Sequence, residues 1–294
     1  MGVNEENPAL ESEIKRYLKT GDHDQYYRAW PEGGMLHRAQ KMDAALRESL
    51  MEKVQTYARD ATAPLSVPEM DLKALTSVKI LPMIRGLFPR AECDVVVDVL
   101  ERSVVFLTPE NIAKVLEKVS FLSTAWDLAN LYLTSIGAPC LSEEAIQLEG
   151  LSQETTCFVS MRYFSQNDRF ADFIVHEAAH IFHNCKRETI GLPHTRTREW
   201  LLEIDFRKRE TFAYACEAYS RILELSSSRA QRKALLDEYA VTSLTGDQRA
   251  DDNEIVDILA EAISARNGWK RILKRCSPQS HKRQSGAVGS ATVE

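Results

Sequence analysis

The sequence contains no apolar run of the roughly 18 residues that a membrane-spanning helix needs. Its six cysteines include no Cys-x-x-Cys pair, and its net charge of −6 leaves no excess of positive charge. These absences argue against a membrane protein and against a protein whose main task is to neutralise phosphates, so a nucleic-acid partner is disfavoured. Residues 1–6 lack the apolar segment of an export signal. We therefore expect a cytoplasmic protein, with delivery to another cell by a signal-independent route left open.

The composition is that of an ordinary globular protein, with 44% hydrophobic and 27% charged residues among 294. Residues 1–150 are predicted to form a mainly helical N-terminal region, because apolar residues such as Met42, Leu46 and Leu50 recur at helical spacing. A proline-containing loop is predicted at residues 61–68. Residues 151–276 are predicted to form a second region of mixed helix and strand. Residues 277–294 are rich in Ser, Gly, Gln and Thr, which predicts a disordered tail.

Several local patterns predict individual elements. Thr108-Pro109 is typical of a helix start and predicts a helix through Val119. Residues 93–100 fit either a buried strand or a helix, and the helix is favoured. Further predictions are a strand at residues 155–164, a capping box at 165–168 that starts the next helix, and helices at 200–225 and 252–275.

The most informative pattern is His176-Glu177-Ala-Ala-His180. Two histidines four residues apart on a helix can bind one divalent ion, while the glutamate between them can accept a proton from water. Catalytic zinc usually has three protein ligands, so a third ligand is expected. Since intact Glu177 has no purpose in a purely structural metal site, the motif favours a hydrolase.

Three glutamates spaced by seven residues are candidates for the third ligand: Glu203, Glu210 and Glu217. Glu210 is favoured, because Ala213 one turn later lets its helix pack close to the motif helix. Glu217 remains the alternative. Glu203 is interpreted as part of a solvated helix face.

These residues resemble the gluzincin metallopeptidases, in which His-Glu-x-x-His is followed on a later helix by a ligand glutamate, often as Glu-x-Phe-Ala. The matching residues here are His176, Glu177, His180 and the segment Glu210-Thr-Phe-Ala. The resemblance covers residues 155–222, about a quarter of the chain. The motif is not followed by Gly-x-x-His at the spacing of the metzincin pattern His-Glu-x-x-His-x-x-Gly-x-x-His, so the metzincin branch is disfavoured.

The resemblance implies an α+β, mostly helical fold with a zincin-like catalytic region at residues 151–276, a small sheet and a helical N-terminal half. It implies Zn²⁺ bound by His176, His180 and Glu210, with Glu177 as general base. A donor to the transition state is also expected in such sites. The candidates are Tyr214, Tyr219, His183 and His194, and Tyr214 is the one we single out.

The sequence therefore predicts a zinc metallopeptidase that acts on a protein or peptide, with strand 155–164 pairing with an extended substrate. The alternative is a regulatory or partner-binding protein that uses a zincin fold without peptidase activity. The sequence leaves the oligomeric state open.

Overall fold

The computed structural model describes residues 8–59, 61, 71–145, 149–242, 245 and 247–278. The predicted loop at 61–68 lies outside these residues except for residue 61, and the predicted tail at 277–294 lies outside them except for residues 277 and 278. None of the helices in the described ranges is both long and apolar enough to cross a membrane.

Helices dominate the described structure, as the sequence predicts. The α-helices are α1 (Pro8–Thr20), α2 (Met35–Arg59), α3 (Leu72–Leu87), α4 (Arg90–Leu100), α5 (Ile112–Lys118), α6 (Leu122–Ser135), α7 (Phe173–Asn184), α8 (Arg209–Leu225), α9 (Arg229–Thr242), α10 (Asp252–Ser264) and α11 (Gly268–Cys276). The strands are β1 (Val104–Phe106), β2 (Gly150–Gln153) and β3 (Thr156–Val159). The prediction of a mostly helical α+β fold with a small sheet is confirmed.

The small sheet separates two hydrophobic cores. β3 is its central strand, parallel to β1 and antiparallel to β2. Because successive side chains of a strand point to opposite faces, Cys157 and Val159 enter one core while Phe158 enters the other. The first core contains side chains of α3, α4, α7, α8, α10 and α11, and the second contains those of α1, α2, α5 and α6.

Helix α7 occupies the centre of the first core. It packs against β2 and β3 on one side and against α8 and α3 on others. Except for the partly buried Phe173, its apolar residues, including Val175, Ala179 and Phe182, are fully buried. The polar motif residues are therefore held on a helix whose orientation is fixed by neighbours on several sides.

The predicted strand at residues 155–164 is too long. β3 ends at Val159, and residues Met161–Phe164 form a short 3₁₀ helix capped by the hydroxyl of Ser160. The predicted capping box at 165–168 is also wrong, because α7 begins only at Phe173, with Asp172 as its N-cap. A side chain that caps a helix must reach N–H groups in its first turn, and Asp172 does so.

Other boundaries also differ from the predictions. The helix at 93–100 is confirmed as α4, whereas the predicted helix from Thr108 starts later, as α5. The predicted helix at 200–225 begins only at Arg209, and the one at 252–275 is divided into α10 and α11. Asn267 causes this second division, because its side chain accepts a hydrogen bond from the N–H of Lys270 and so starts a new helix. α9 was not predicted.

Candidate metal centre

Helix α7 carries both histidines of the motif on one face. The carboxylate of Asp172 accepts a hydrogen bond from the backbone N–H of Val175 at 3.4 Å and fixes the start of the helix. Residues four apart on a helix are neighbours, and the Nε2 atoms of His176 and His180 are 3.2 Å apart. Both imidazoles therefore point to one location.

Helix α8 brings a carboxylate to the same location. Oε2 of Glu210 lies 3.3 Å from Nε2 of His180 and 3.8 Å from Nε2 of His176. Ligand atoms of these three side chains all lie within 4.8 Å of one another. Donors about 2.0–2.2 Å from a tetrahedral ion are separated by about 3.3–3.6 Å. The group of His176, His180 and Glu210 could therefore hold a metal ion.

The other two candidate glutamates lie elsewhere. Oε2 of Glu217 is 3.0 Å from Nδ1 of His176, and its Oε1 accepts a hydrogen bond from the N–H of Asp172 at 2.6 Å. Glu217 thus contacts the side of the ring that faces away from Glu210. Glu203 precedes α8, and its carboxylate accepts hydrogen bonds from the N–H groups of residues 199 and 200.

The hydrogen bonds behind the histidines occupy both Nδ1 atoms and direct both Nε2 atoms toward the position of a cation. His176 donates from Nδ1 to the Glu217 carboxylate, which assigns its proton to Nδ1. Nδ1 of His180 is 3.0 Å from Nε2 of His183, and Nδ1 of His183 is 3.1 Å from Oδ1 of Asn184. Because the Asn184 oxygen only accepts, His183 donates to it and accepts from His180. This series of hydrogen bonds orients the His180 ring, just as Glu217 orients the His176 ring.

The pKa values of two of these histidines shift in opposite directions. Burial lowers the pKa of His183 to about 3, helped by nearby His180 and Arg209, so this ring stays neutral. Burial also lowers the pKa of His176, but its hydrogen bonds with Glu210 and Glu217 outweigh that effect and raise the pKa to about 10. In the metal-free protein, His176 is therefore protonated at neutral pH.

This protonation predicts that metal binding releases a proton. A histidine must be neutral to bind a metal ion, and His176 loses its proton only as the pH rises toward about 10. We expect zinc binding at about pH 7.5 to release about one proton from His176, and zinc affinity to fall as the pH is lowered. Calorimetric titration in buffers of different ionisation enthalpy measures the release. Glu217→Gln lowers the pKa of His176 and should reduce the number released, whereas equal release by both proteins would contradict this assignment.

Glu177 lies between His176 and His180 in the motif and is 5% exposed. Burial raises the pKa of its carboxyl group, against the lowering effect of nearby His180 and His176. Its Oε2 is buried and has no hydrogen-bond partner among the described residues. A buried carboxylate oxygen without a partner is costly, and it is suited to accept a proton from a water molecule or a substrate.

The position of Glu177 depends on the absence of a side chain at Gly150. A Cβ atom at residue 150 would lie 2.6 Å from both Cγ and Oε1 of Glu177. Gly150 is the first residue of β2, and β2 packs against α7, the helix that carries the acid. This glycine is a site residue that the sequence analysis did not identify.

For the hydrolase that the sequence predicts, Gly150→Ala is expected to displace Glu177 and to reduce hydrolysis by about 100-fold, because a shift of about 1 Å in a catalytic group has that effect. The three atoms nearest to the added methyl group all belong to Glu177, so zinc content should stay near that of the unmodified protein. Kinetics and zinc analysis of the same preparation test both parts. Gly34→Ala is the control, since a Cβ at that position meets no atom within 4 Å. Unchanged hydrolysis by Gly150→Ala would contradict the role of this close contact.

The candidate donors to the transition state lie at different distances from the centre. The ring of Tyr214 packs edge-on against His176, with centroids 4.6 Å apart, so it borders the centre. Tyr219 packs instead against Trp269. His183 lies behind His180, and His194 is exposed beside Glu188.

The sequence also did not point to three charged residues near the centre, Lys79, Asp172 and Arg249. Lys79 of α3 forms an ion pair with Asp172 at 3.0 Å and thus supports the hydrogen bond from Asp172 to Glu217. Arg249 forms an ion pair with Glu210 at 3.0 Å. No sequence signal identifies Lys79 or Arg249, because they lie about 90 and 40 residues from their partners and tertiary packing alone brings them there.

No protein-family model, curated protein or solved structure matches this chain. The resemblance to gluzincins rests on the motif residues, and the zincin-like core stays a prediction. A group of two histidines and one glutamate also occurs in metal sites with other functions.

Proposed function

We propose that this protein is a zinc-dependent peptidase in which His176, His180 and Glu210 bind the metal and Glu177 is the general base. The observation that carries the proposal is the convergence of three ligand atoms beside a buried glutamate that has an unpartnered oxygen. A structural metal site needs the ligands but has no use for that glutamate.

The set of donors suits zinc. Two imidazoles and one carboxylate that leave a position for water are a recurrent combination in catalytic zinc sites. When bound, zinc polarises a substrate carbonyl and lowers the pKa of a coordinated water. Glu177 accepts a proton from the attacking water and returns it to the departing nitrogen. Its raised pKa brings the carboxyl closer to the neutral range, where proton acceptance and return are both effective.

The sheet has an edge strand that could pair with a peptide substrate, but this strand is β2 and not the predicted strand at residues 155–164. β3 has a neighbour on each side, so the prediction that this strand pairs with substrate is wrong. β2 is the edge strand that borders Glu177. The N–H of Ser160 donates to the carbonyl of Glu149. Hydrogen-bonded and non-hydrogen-bonded pairs alternate along an antiparallel pair of strands. The backbone N–H and C=O groups of Gly150 and Ser152 therefore face away from β3. An extended peptide can add to this edge beside the general base.

The proposed setting is a reducing compartment such as the cytoplasm. All six cysteines are free in the structure, and four of them are buried. Free buried cysteines are common in proteins from reducing compartments. The partner we propose is a protein or peptide substrate, and the net charge of −6 continues to disfavour nucleic acid.

The test is a search for new N-termini. The zinc-loaded protein is incubated with a cell lysate, new N-termini are labelled and identified by mass spectrometry, and a parallel sample contains a zinc chelator. We expect a defined set of cleavages that the chelator abolishes and zinc restores. No metal-dependent cleavage, together with cells in which a Glu177→Gln allele behaves like the unmodified gene, would reject the peptidase and support the partner-binding alternative.

A further inference from the structure

The Glu210 oxygen that does not face the histidines, Oε1, forms an ion pair within the protein. Oε2 faces the histidines, whereas Oε1 lies 3.0 Å from Nη1 of Arg249. Arg249 is held in turn by Asp247: its Nε lies 3.0 and 3.1 Å from the two carboxylate oxygens, and its Nη2 lies 2.6 Å from Oδ2. Asp247, Arg249 and Glu210 therefore form a chain in which the guanidinium bridges two carboxylates. We call it the Asp247–Arg249 bridge.

We propose that the Asp247–Arg249 bridge makes Glu210 a ligand through one oxygen only and so keeps one coordination position of the metal open for substrate. The inference rests on the metal centre of the proposed function. A carboxylate can bind a metal through one oxygen or through both. The ion pair with Arg249 at 3.0 Å occupies Oε1 and leaves Oε2 alone to contact the metal.

The shape of the arginine side chain is essential to this role. The planar guanidinium presents its donors as a fork, with Nε and Nη2 directed to Asp247 and Nη1 directed to Glu210. A lysine carries the same charge but is a single point donor and cannot bridge the two acids in a fixed geometry. Replacing Arg249 with lysine therefore keeps the charge and removes the fork geometry.

The bridge contributes little to the stability of the fold. The Arg249 side chain is 65% exposed, and ion pairs of exposed side chains stabilise proteins only slightly. Arg249 lies in the segment before α10 and is not part of a helix or of the cores. Variants of Arg249 are therefore expected to fold, and their metal geometry can be measured directly. Arg249 is a positioning residue, since it acts on the metal through Glu210.

The experiment replaces zinc with Co²⁺, whose visible absorption reports the number of ligands. The unmodified protein should give the intense bands of a four-coordinate ion. In Arg249→Met, we expect weaker bands shifted to shorter wavelength, because the freed Oε1 also contacts the metal. Since removing a positive charge also favours a bound cation, the spectrum and not the metal affinity is the readout. No substrate is needed, so failure of the peptidase proposal does not affect this result.

Three further variants complete the test. Arg249→Lys should resemble Arg249→Met, and Asp247→Asn should shift the spectrum in the same direction, because each disturbs the fork. Arg169→Met is the matched control, since Arg169 is 47% exposed and pairs with Glu238 outside the centre. Arg249→Met with the spectrum of the unmodified protein would overturn the proposal. So would Arg249→Lys with an unchanged spectrum, because charge alone would then be sufficient.

Discussion

Replacing Glu177 with glutamine is expected to leave the metal bound and to reduce hydrolysis by about 100-fold to 10,000-fold, the range that general acid–base catalysis contributes. Glutamine has nearly the same shape as glutamate but cannot accept a proton from water. Glu177 is not among the three residues whose ligand atoms converge, so zinc content should not change. Glu177→Gln should therefore keep its zinc and lose most of its hydrolytic activity.

Zinc analysis and steady-state kinetics on a substrate found by N-terminal labelling measure the two properties. Glu143→Gln is the control, since Glu143 is exposed and far in sequence from the motif. A Glu177→Gln protein that is as active as the unmodified one would refute the assigned base. Loss of zinc in this variant would instead indicate that Glu177 contributes to the metal site directly.

Replacing Glu210 with glutamine is expected to have the largest effect on metal binding. Removing a partner behind a ligand typically costs about 10-fold to 100-fold in metal affinity, so losing a direct ligand should cost more than about 100-fold. The amide is also neutral, and it cannot balance the charge of a divalent ion as the carboxylate does. The purified Glu210→Gln protein should contain much less zinc than the unmodified protein.

The other two glutamates provide a graded comparison. Glu217→Gln should reduce zinc affinity by about 10-fold to 100-fold, because an amide cannot accept from both the His176 ring and the N–H of Asp172. Glu203→Gln should have no effect on zinc, because Glu203 only accepts backbone hydrogen bonds before α8. Competition with a coloured chelator gives all three affinities. A larger loss for Glu217→Gln than for Glu210→Gln would reverse the assignment of the ligand.

The local parts of the site could be predicted from the sequence. The four-residue spacing of His176 and His180 places both on one helix face wherever that helix lies. The mostly helical composition also follows from apolar spacing. Boundaries were less predictable, because Asp172 and not Ser165 caps α7, and either residue has a side chain that can cap a helix.

The spacing of His176, Glu177 and His180 places two imidazoles and an acid within about one helical turn, because helical geometry is local. Which distant groups meet them depends on tertiary packing. Packing of α8 on α7 brings Glu210 to the histidines and turns Glu217 to the far side of His176. The approach of β2 places Gly150 against Glu177, and the segment before α10 places Arg249 on Glu210. These contacts join residues far apart in the chain, and burial of the shared core, which no local pattern encodes, brings them together.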